Sequence, residues 1–388
     1  MKRVSAIIPC YCLKEEWLER LFHSIEHQVM GMEWIEVVFV VDASPDDTLE
    51  RLKKYEEKYP DDVLIINSDE KMGPGGARSL GISYASGEYV AFIDQDDWIE
   101  PCMFAHMYQK AKEYQCDVVE SYNTRDMIYD YRDGLPKTTG QESRFVLLDT
   151  VEKRKDFFAK NKPERRKYWA KLYKREFLLE EKIDFPKNIH YDDNYFKGMV
   201  FYHAKRIYIL EEYMYHWMVN QESISMKADV NVHLERMQIE LLKLQEYEKR
   251  GLLAFYREEM EYIFLEQFYA NTFNTVCTRN DGISVELLDY MKSMVCRIFP
   301  EYEKNPYIAT RRPVWSLGDW IENALLGIAQ VRGKEVTVPI EVLNKIAPLS
   351  FLDLLKTQLS QEELSWFCNI YIAFDKVAHR IDYSKLKK

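Results

Sequence analysis

Asp94, Gln95 and Asp96 put two carboxylates two residues apart, directly after the apolar run Glu88 to Ile93. Residues i and i+2 of an extended strand point the same way, so at the strand's end this pair can hold one hard cation. Mg²⁺ and Mn²⁺ take oxygen ligands, substrate phosphates among them. Such a cation would offset charge growing on a phosphate leaving group. A lone Asp-x-Asp more often only solvates a turn, and its place after a buried strand is what raises it above that reading. From Lys71 to Arg78 the chain passes through Gly73-Pro74-Gly75-Gly76. A flexible glycine-rich loop that opens a helix offers backbone N–H groups to an anion, and Arg78 could pair with phosphate. Alone, that signal is weak. Asp192-Asp193 is a second carboxylate pair. Folded opposite Asp96, one of the two could take a proton from a reacting hydroxyl; equally, Asp192 could cap the helix that follows.

These residues need elements to place them. Val4 to Pro9 reads as a buried strand, and Glu15 to Met30 as a helix with one apolar face, from Leu18, Leu21, Phe22, Ile25 and Val29. Ile35 to Val41 is a second strand; Ser44 to Asp47 is a turn and cap into a helix from Thr48 to about Lys58. Val63 to Ile66 is a third strand, the glycine loop opens a helix to about Ser86, and Glu88 to Ile93 is a fourth strand. Strand and helix in alternation predict an open parallel sheet covered by helices, which binds ligands at the carboxyl ends of its strands. Those ends carry Pro9-Cys10-Tyr11, Asp42-Ala43-Ser44 and the Asp94–Asp96 turn. Further on, Asp117 to Tyr122 reads as a strand, Lys171 to Glu181 as a short helix, and Tyr191 to Tyr202 as a helix that starts on two acids, where the helix dipole favours them. Long helical patterns follow, His233 to Lys249 and Leu252 to Tyr269. A soft boundary is expected near 226–232.

The chain has 388 residues and a formal net charge of -11, so more than one domain is expected and non-specific nucleic-acid binding is disfavoured. Adhesion to an anionic membrane is disfavoured for the same reason. One stretch runs against this: Lys153 to Arg175 holds eleven Lys or Arg against Asp156 and Glu164. It is either a solvated helical face or a surface that meets an anionic acceptor. Seven cysteines without a CxxC pair argue for reduced thiols in the cytosol rather than disulfides or a zinc site. No signal-peptide pattern and no apolar run of about 18 residues is found, so any membrane association is expected to be peripheral.

Taken together, seven stretches resemble the family 2 glycosyltransferases. They are Val4–Tyr11 (VSAIIPCY), Val40–Thr48 (VVDASPDDT), Gly73–Gly81 (GPGGARSLG), Ala85–Asp97 (ASGEYVAFIDQDD), Lys171–Leu178 (KLYKREFL), Phe185–Phe196 (FPKNIHYDDNYF) and Tyr215–Ser225 (YHWMVNQESIS). The resemblance implies a GT-A nucleotide-sugar-binding fold, a Rossmann-like mixed sheet flanked by helices, over residues 1–226. Residues 1–116 would form the nucleotide half and 117–226 the acceptor half, with a mainly helical region at 231–388. It implies that Pro9, Tyr11 and Asp42 line the base and ribose pocket, with Lys71, Arg78, Asp94 and Gln95 also at the nucleotide. Asp94 and Asp96 would hold Mn²⁺ or Mg²⁺, Asp96 more directly, with His216 as a further metal or phosphate ligand. Asp193 would be the general base, and Asp192 would support acceptor or donor sugar.

The reaction so implied moves a sugar, with inversion, from a nucleotide-diphosphate donor, UDP by family frequency, to a glycan or lipid-linked acceptor in bacterial surface-polysaccharide or teichoic-acid synthesis. The expected setting is the cytoplasm, at the inner face of the membrane. Self-association through the C-terminal helices is one use for a region the motifs do not explain. The chain departs from the family at Cys12, Val41, Lys71 and Ser79, which bear on nucleotide contact and leave the metal and base residues in place. Two rivals remain. One is a non-catalytic nucleotide-sugar-binding or assembly protein on the same fold, against which the intact carboxylate pairs argue. The other is a nucleotidyltransferase, which would need a phosphate loop where Cys10-Tyr11-Cys12-Leu13 stands.

Overall fold

The computed structural model describes residues 1–131, 136–161, 163, 166–220, 230–272, 275–276 and 285–307. The chain forms two compact units, Met1–Gln221 and Glu222–Lys388. The boundary expected at 226–232 falls partly on 221–229, outside the described residues, as does the end of the Tyr215–Ser225 motif.

The first unit is built on one mixed sheet. Its opening strands are β1 (Val4–Cys10), β2 (Ile35–Asp42), β3 (Val63–Ser68) and β4 (Tyr89–Phe92). β1 pairs in parallel with both β2 and β4, and β2 with β3. The connections are helices α1 (Glu15–Glu26), α2 (Thr48–Lys58) and α3 (Gly73–Tyr84). β1 and β2 are buried almost throughout, as expected of parallel strands covered on both faces. Pro9 is tolerated in β1 because β4 pairs only as far as Ile7, so the missing N–H falls past the end of that partner strand.

Beyond β4 the parallel pattern breaks. The chain continues through β5 (Trp98–Ile99), α4 (Met103–Tyr114), β6 (Val118–Asp126), β7 (Arg144–Leu147), α5 (Val151–Asn161), β8 (Lys171–Lys174), α6 (Arg175–Glu180), α7 (Asp192–His203) and β9 (Arg206–Met218). The sheet order is β3-β2-β1-β4-β8-β6-β9-β5, with β7 also on β9. β8 enters antiparallel between β4 and β6. β9 lies parallel to β6 and antiparallel to β5 and β7. It is the long strand that runs from β7 along β6 to β5, just after the Asp94–Asp97 turn.

Three expectations are corrected. The helix starting at Glu15 stops at Glu26 instead of Met30, because the Val29 N–H leaves the helical ladder to donate to the Pro101 carbonyl at 2.9 Å. Lys171 to Lys174 is a strand, and helix begins only at Arg175. Sheet pairing on both sides outweighs the helical pattern there. The glycine run is no flexible loop: Gly73, Pro74, Gly75 and Gly76 are the first turn of α3, with Pro74 at a position where its missing N–H costs nothing.

The second unit contains α8 (Val230–Lys249), α9 (Leu253–Phe264), a π-helical stretch Leu265–Asn271 and α10 (Val285–Ile298). Its interior buries Met237, Ile239, Phe264, Phe268 and Met291. It also encloses an ion pair, Lys243 Nζ to Glu240 Oε2 at 2.7 Å. Among the described residues no helix is long and apolar enough to cross a membrane.

The α3–β1 contact is tight. A Cβ at Gly81 would lie 2.4 Å from Ile7 Cγ2, a fully buried, β-branched side chain. Gly81→Ala should therefore lower stability by about 1–3 kcal/mol, read as a drop in the urea midpoint at unchanged slope. An unchanged midpoint would mean that α3 and β1 do not need this spacing.

Candidate active site

The strand ends bring the two carboxylate pairs together through Arg78. This guanidinium is 5% exposed. Its Nη1 donates to Asp192 Oδ2 at 3.0 Å, and its Nη2 to Asp94 Oδ1 at 2.8 Å and to the Tyr168 hydroxyl at 2.6 Å. The Tyr168 hydroxyl in turn donates to the Asp94 carboxylate, 2.6 and 2.7 Å from its two oxygens. Burial alone would pull the Arg78 pKa down, but Tyr168, Asp94 and Asp192 together raise it. The expected phosphate ligand is thus a buried tie, with both terminal nitrogens engaged by protein.

α7 delivers Asp192 and Asp193 on its first turn. Asp192 is buried, and its carboxyl is raised to about 6 by burial, with Asp193 and Asp94 adding to the rise and Arg78 opposing it. Asp193 is half-buried and pairs with Lys197 Nζ at 2.8 Å. Burial pushes its carboxyl up, yet Lys197, with Lys167 and Arg78 behind it, outweighs this and holds it below the usual range. A Cβ at Gly75 would lie 2.5 Å from Asp192 Oδ2 and from the Pro186 carbonyl. Glycine there is what lets α3 approach α7.

The run 94–97 divides by partner. Asp94 N donates to the Tyr215 hydroxyl at 3.0 Å, and that hydroxyl donates to Asp97 Oδ2 at 2.6 Å. Asp97 also accepts from Met218 N at 2.8 Å, so it fastens the turn to β9. Asp96 accepts from Asn220 Nδ2 at 3.2 Å, and its carbonyl accepts from Arg20. Burial and the Asp94 carboxylate raise the Asp96 carboxyl. Crowded carboxylate oxygens short of positive charge suit a hard divalent cation, so Asp96 with Asp94 fits Mn²⁺ or Mg²⁺. His216 is not brought to this pair. Its Nδ1 lies 2.5 Å from Asp126 Oδ2 and 2.9 Å from Thr124 Oγ1, and its Nε2 lies 2.9 Å from Glu100 Oε1. Its ring stacks on Trp98, centroids 3.5 Å apart. The geometry is that of a packed, paired histidine.

At the neighbouring strand ends, Gln95 and Tyr11 exchange hydrogen bonds: Tyr11 N donates to Gln95 Oε1 at 2.9 Å, and Gln95 Nε2 to the Tyr11 carbonyl at 3.0 Å. Lys71 Nζ sits 3.8 Å from the Tyr11 ring centroid, and Pro9 is the penultimate residue of β1. Asp42 accepts from Met72 N at 2.6 Å and Gly73 N at 2.9 Å. The α3 N-terminus expected to receive phosphate therefore receives Asp42, whose two oxygens are both engaged there. Sequence reasoning missed Tyr168, Tyr215, Asn220 and Lys197. The i,i+4 spacing of Lys197 from Asp193 was a readable signal; Tyr215 and Asn220 stand in the Tyr215–Ser225 stretch and Tyr168 in the basic stretch, but neither pattern shows which of their residues reach the turn.

A curled mixed sheet with acidic strand-end turns and a helical second region is the GT-A architecture of nucleotide-sugar enzymes. Residues 5–189 match the Glycosyl transferase family 2 model. Poly(ribitol-phosphate) beta-glucosyltransferase of Bacillus spizizenii is 30% identical over 231 residues, 58% of this chain but only 34% of that protein. The chain thus spans about a third of that relative's length. Cholesterol galactosyltransferase of Borreliella burgdorferi is 28% identical over 302 residues, 74% of this chain and 79% of that one. The crystal structure of Staphylococcus aureus TarS residues 1–349 with UDP-GlcNAc superposes with TM-score 0.52 at 18% identity, covering 87% and 94% of the two chains, a likeness of fold.

The hydroxyl of Tyr168 is the testable joint of the network. Tyr168→Phe leaves Asp94 without its phenol donor and should cost about 1–2 kcal/mol, measured as a lower denaturation midpoint. A midpoint equal to wild type would show that the phenol does not hold Asp94.

Proposed function

We propose that this protein transfers a sugar from a UDP-sugar onto a hydroxyl of a bacterial cell-surface polysaccharide, with inversion at the anomeric carbon. The observation that carries this is the Asp192–Arg78–Asp94 bridge, which joins an acidic strand-end turn suited to a cation-held diphosphate to a carboxylate pair suited to proton removal. The division into a nucleotide half at 1–116, an acceptor half at 117–226 and an auxiliary helical region from 231, for acceptor binding or self-association, is part of the same proposal. So is work at the cytoplasmic side of the membrane with at most peripheral attachment. The UDP-GlcNAc held by TarS and the poly(ribitol-phosphate) in the Bacillus relative's name support UDP as carrier and an envelope polymer as acceptor.

The residues divide the work. Tyr11, Lys71 and Gln95 form one wall of the nucleotide site, with Pro9 beneath and Asp42 latching the loop that carries Lys71. Asp96 and Asp94 would hold Mn²⁺ or Mg²⁺, which when bound supplies the positive charge a leaving diphosphate needs. Asp193 takes the proton of the acceptor hydroxyl as the oxygen bonds to the anomeric carbon. The bond from that carbon to the diphosphate breaks, and its electron pair leaves with the nucleotide. Asp192 keeps Arg78 in place, and Arg78 keeps Asp94 in place.

Two measurements test this. Calorimetric titration of UDP should show binding strengthened by Mn²⁺, and Asp96→Ala should abolish the strengthening; metal-independent binding in both proteins would remove the cation from the donor site. Asp193→Asn should cut turnover with a UDP-sugar by about 10²–10⁴-fold while UDP affinity stays near wild type. Turnover equal to wild type would sink Asp193 as the base.

A further inference from the structure

The basic stretch from Lys153 to Arg175 is largely consumed by the fold. Lys153 pairs with Asp149 at 2.7 Å, Lys160 with Asp156 at 2.7 Å and Lys174 with Glu176 at 2.6 Å. Arg166 and Lys171 both close on the buried Glu120. The lysine that meets a site carboxylate directly stands elsewhere, on α7.

Asp192 and Asp193 are neighbours in sequence with different partners. Adjacent helical residues point roughly 100° apart, whereas residues i and i+4 share a face. Asp192 is turned to α3, where its Oδ2 accepts from Arg78 Nη1 at 3.0 Å. Asp193 is turned along α7 to Lys197, whose Nζ lies 2.8 Å from its Oδ2. The Asp193 side chain is 24% exposed and that of Lys197 10%, against 9% for Asp192, so of the two acids Asp193 is the one a second molecule can reach. A carboxylate has two oxygens that accept, and the pair with Lys197 uses Oδ2.

The two cations are also shared differently. Arg78 divides its donors among Asp192, Asp94 and Tyr168. Among the described residues Lys197 has Asp193 as its one ion-pair partner. The other charged or titratable groups that act on Asp193 are Asp192 on its own helix, Lys167 before β8, Arg78 on α3 and Tyr173 on β8. Burial acts most strongly on this carboxyl and disfavours its charge, and Lys197 leads the groups that oppose it.

We infer that Lys197 is a positioning residue for the transfer: it is the countercharge that makes Asp193, and not the adjacent Asp192, the proton acceptor. This rests on the reading of Asp193 as the base. While Asp193 is ionised, the pair is neutral and both members are satisfied. As the acceptor oxygen bonds to the anomeric carbon, its proton moves to Asp193 and Lys197 is left as an unopposed cation with little exposure. Such a charge is costly, so the proton passes on to water and the base is reset. Protonation of Asp192 would leave Arg78 still paired with Asp94, and nothing comparable would expel that proton.

The test reads Asp193 directly. Carbon-detected NMR of the full chain with labelled aspartate carboxyls, assigned with Asp192→Asn and Asp193→Asn, follows each carboxyl as pH is lowered. Lys197→Met should raise the proton affinity of Asp193 roughly tenfold or more and change that of Asp192 far less. Lys197→Arg should stay near wild type. Turnover of the UDP-sugar that wild type uses, taken as the ratio of Lys197→Met to wild type, should fall as pH is lowered, in step with protonation of Asp193. A Lys197→Met protein with a wild-type denaturation midpoint, in which Asp193 titrates as it does in wild type, would overturn the inference. So would a turnover ratio that stays flat with pH while the Asp193 signal moves. Full turnover by Asp193→Asn is the separate result that strikes the base reading; the NMR comparison needs no substrate and still decides whether Lys197 governs the charge on Asp193.

Discussion

A buried guanidinium between two carboxylates holds this site together. Arg78 at 5% exposure would be costly without partners, since an uncompensated buried charge loses its hydration with nothing in return. Asp94 and Asp192 compensate it, and Tyr168 adds a donor to Asp94. Each of the four comes from a different part of the chain: the middle of α3, the end of β4, the segment before β8 and the start of α7. The tie is therefore a constraint on fold as much as on chemistry. It fixes how far α7 can stand from α3, and glycine at 75 is the only side chain small enough for that distance.

The same economy explains why α3 begins on three glycines and a proline without being a phosphate loop. Its first N–H groups meet Asp42 across the end of β2, and Asn188 N donates to the Met72 carbonyl at 2.7 Å from the other side. A carboxylate on a helix N-terminus is favoured by the dipole and the open donors alike. Beside that satisfied end, the Lys71 ammonium lies over the Tyr11 ring.

Much of this was legible because parallel strands buried on both faces leave continuous apolar runs. Val4 to Pro9, Ile35 to Val41 and Glu88 to Ile93 announced themselves, and with them the strand-end residues Tyr11, Asp42 and Asp94 to Asp96. The second half of the sheet was harder. Lys171 to Lys174 has a lysine at each end and becomes a strand only because β4 and β6 leave a slot for it. Most of β9 went unread, since its polar residues, Glu211, Glu212, Tyr213 and His216, look like surface until their partners are known. His216 itself was read by position in a motif, whereas its place is decided by Trp98, Glu100 and Asp126. Arg78 was found, but its role was not, because a sequence shows a cation near a glycine run and not the two anions that fold back onto it.

The four residues Asp94 to Asp97 show how one acidic run is divided among tasks by its neighbours. Asp97 is sealed under Tyr215 and the Met218 N–H, so it can only be structural. Asp94 is half taken by Arg78 and Tyr168, which fixes its orientation while leaving part of it open. Gln95, pointing the other way, is closed on the Tyr11 backbone. Asp96 alone has a single weak side-chain donor, from Asn220, and burial together with Asp94 raises its carboxyl. Three carboxylates within four residues repel one another: burial with Asp94 and Asp96 pushes the Asp97 carboxyl well up, and burial with Asp94 raises that of Asp96, but Asp97 is closed by Tyr215 and Met218 whereas Asp96 accepts only from Asn220 among the described side chains. The carboxylate left with room for a further ligand is therefore Asp96, where a divalent cation would relieve the repulsion. Position in the motif did not have to specify this; the distribution of donors around the turn does.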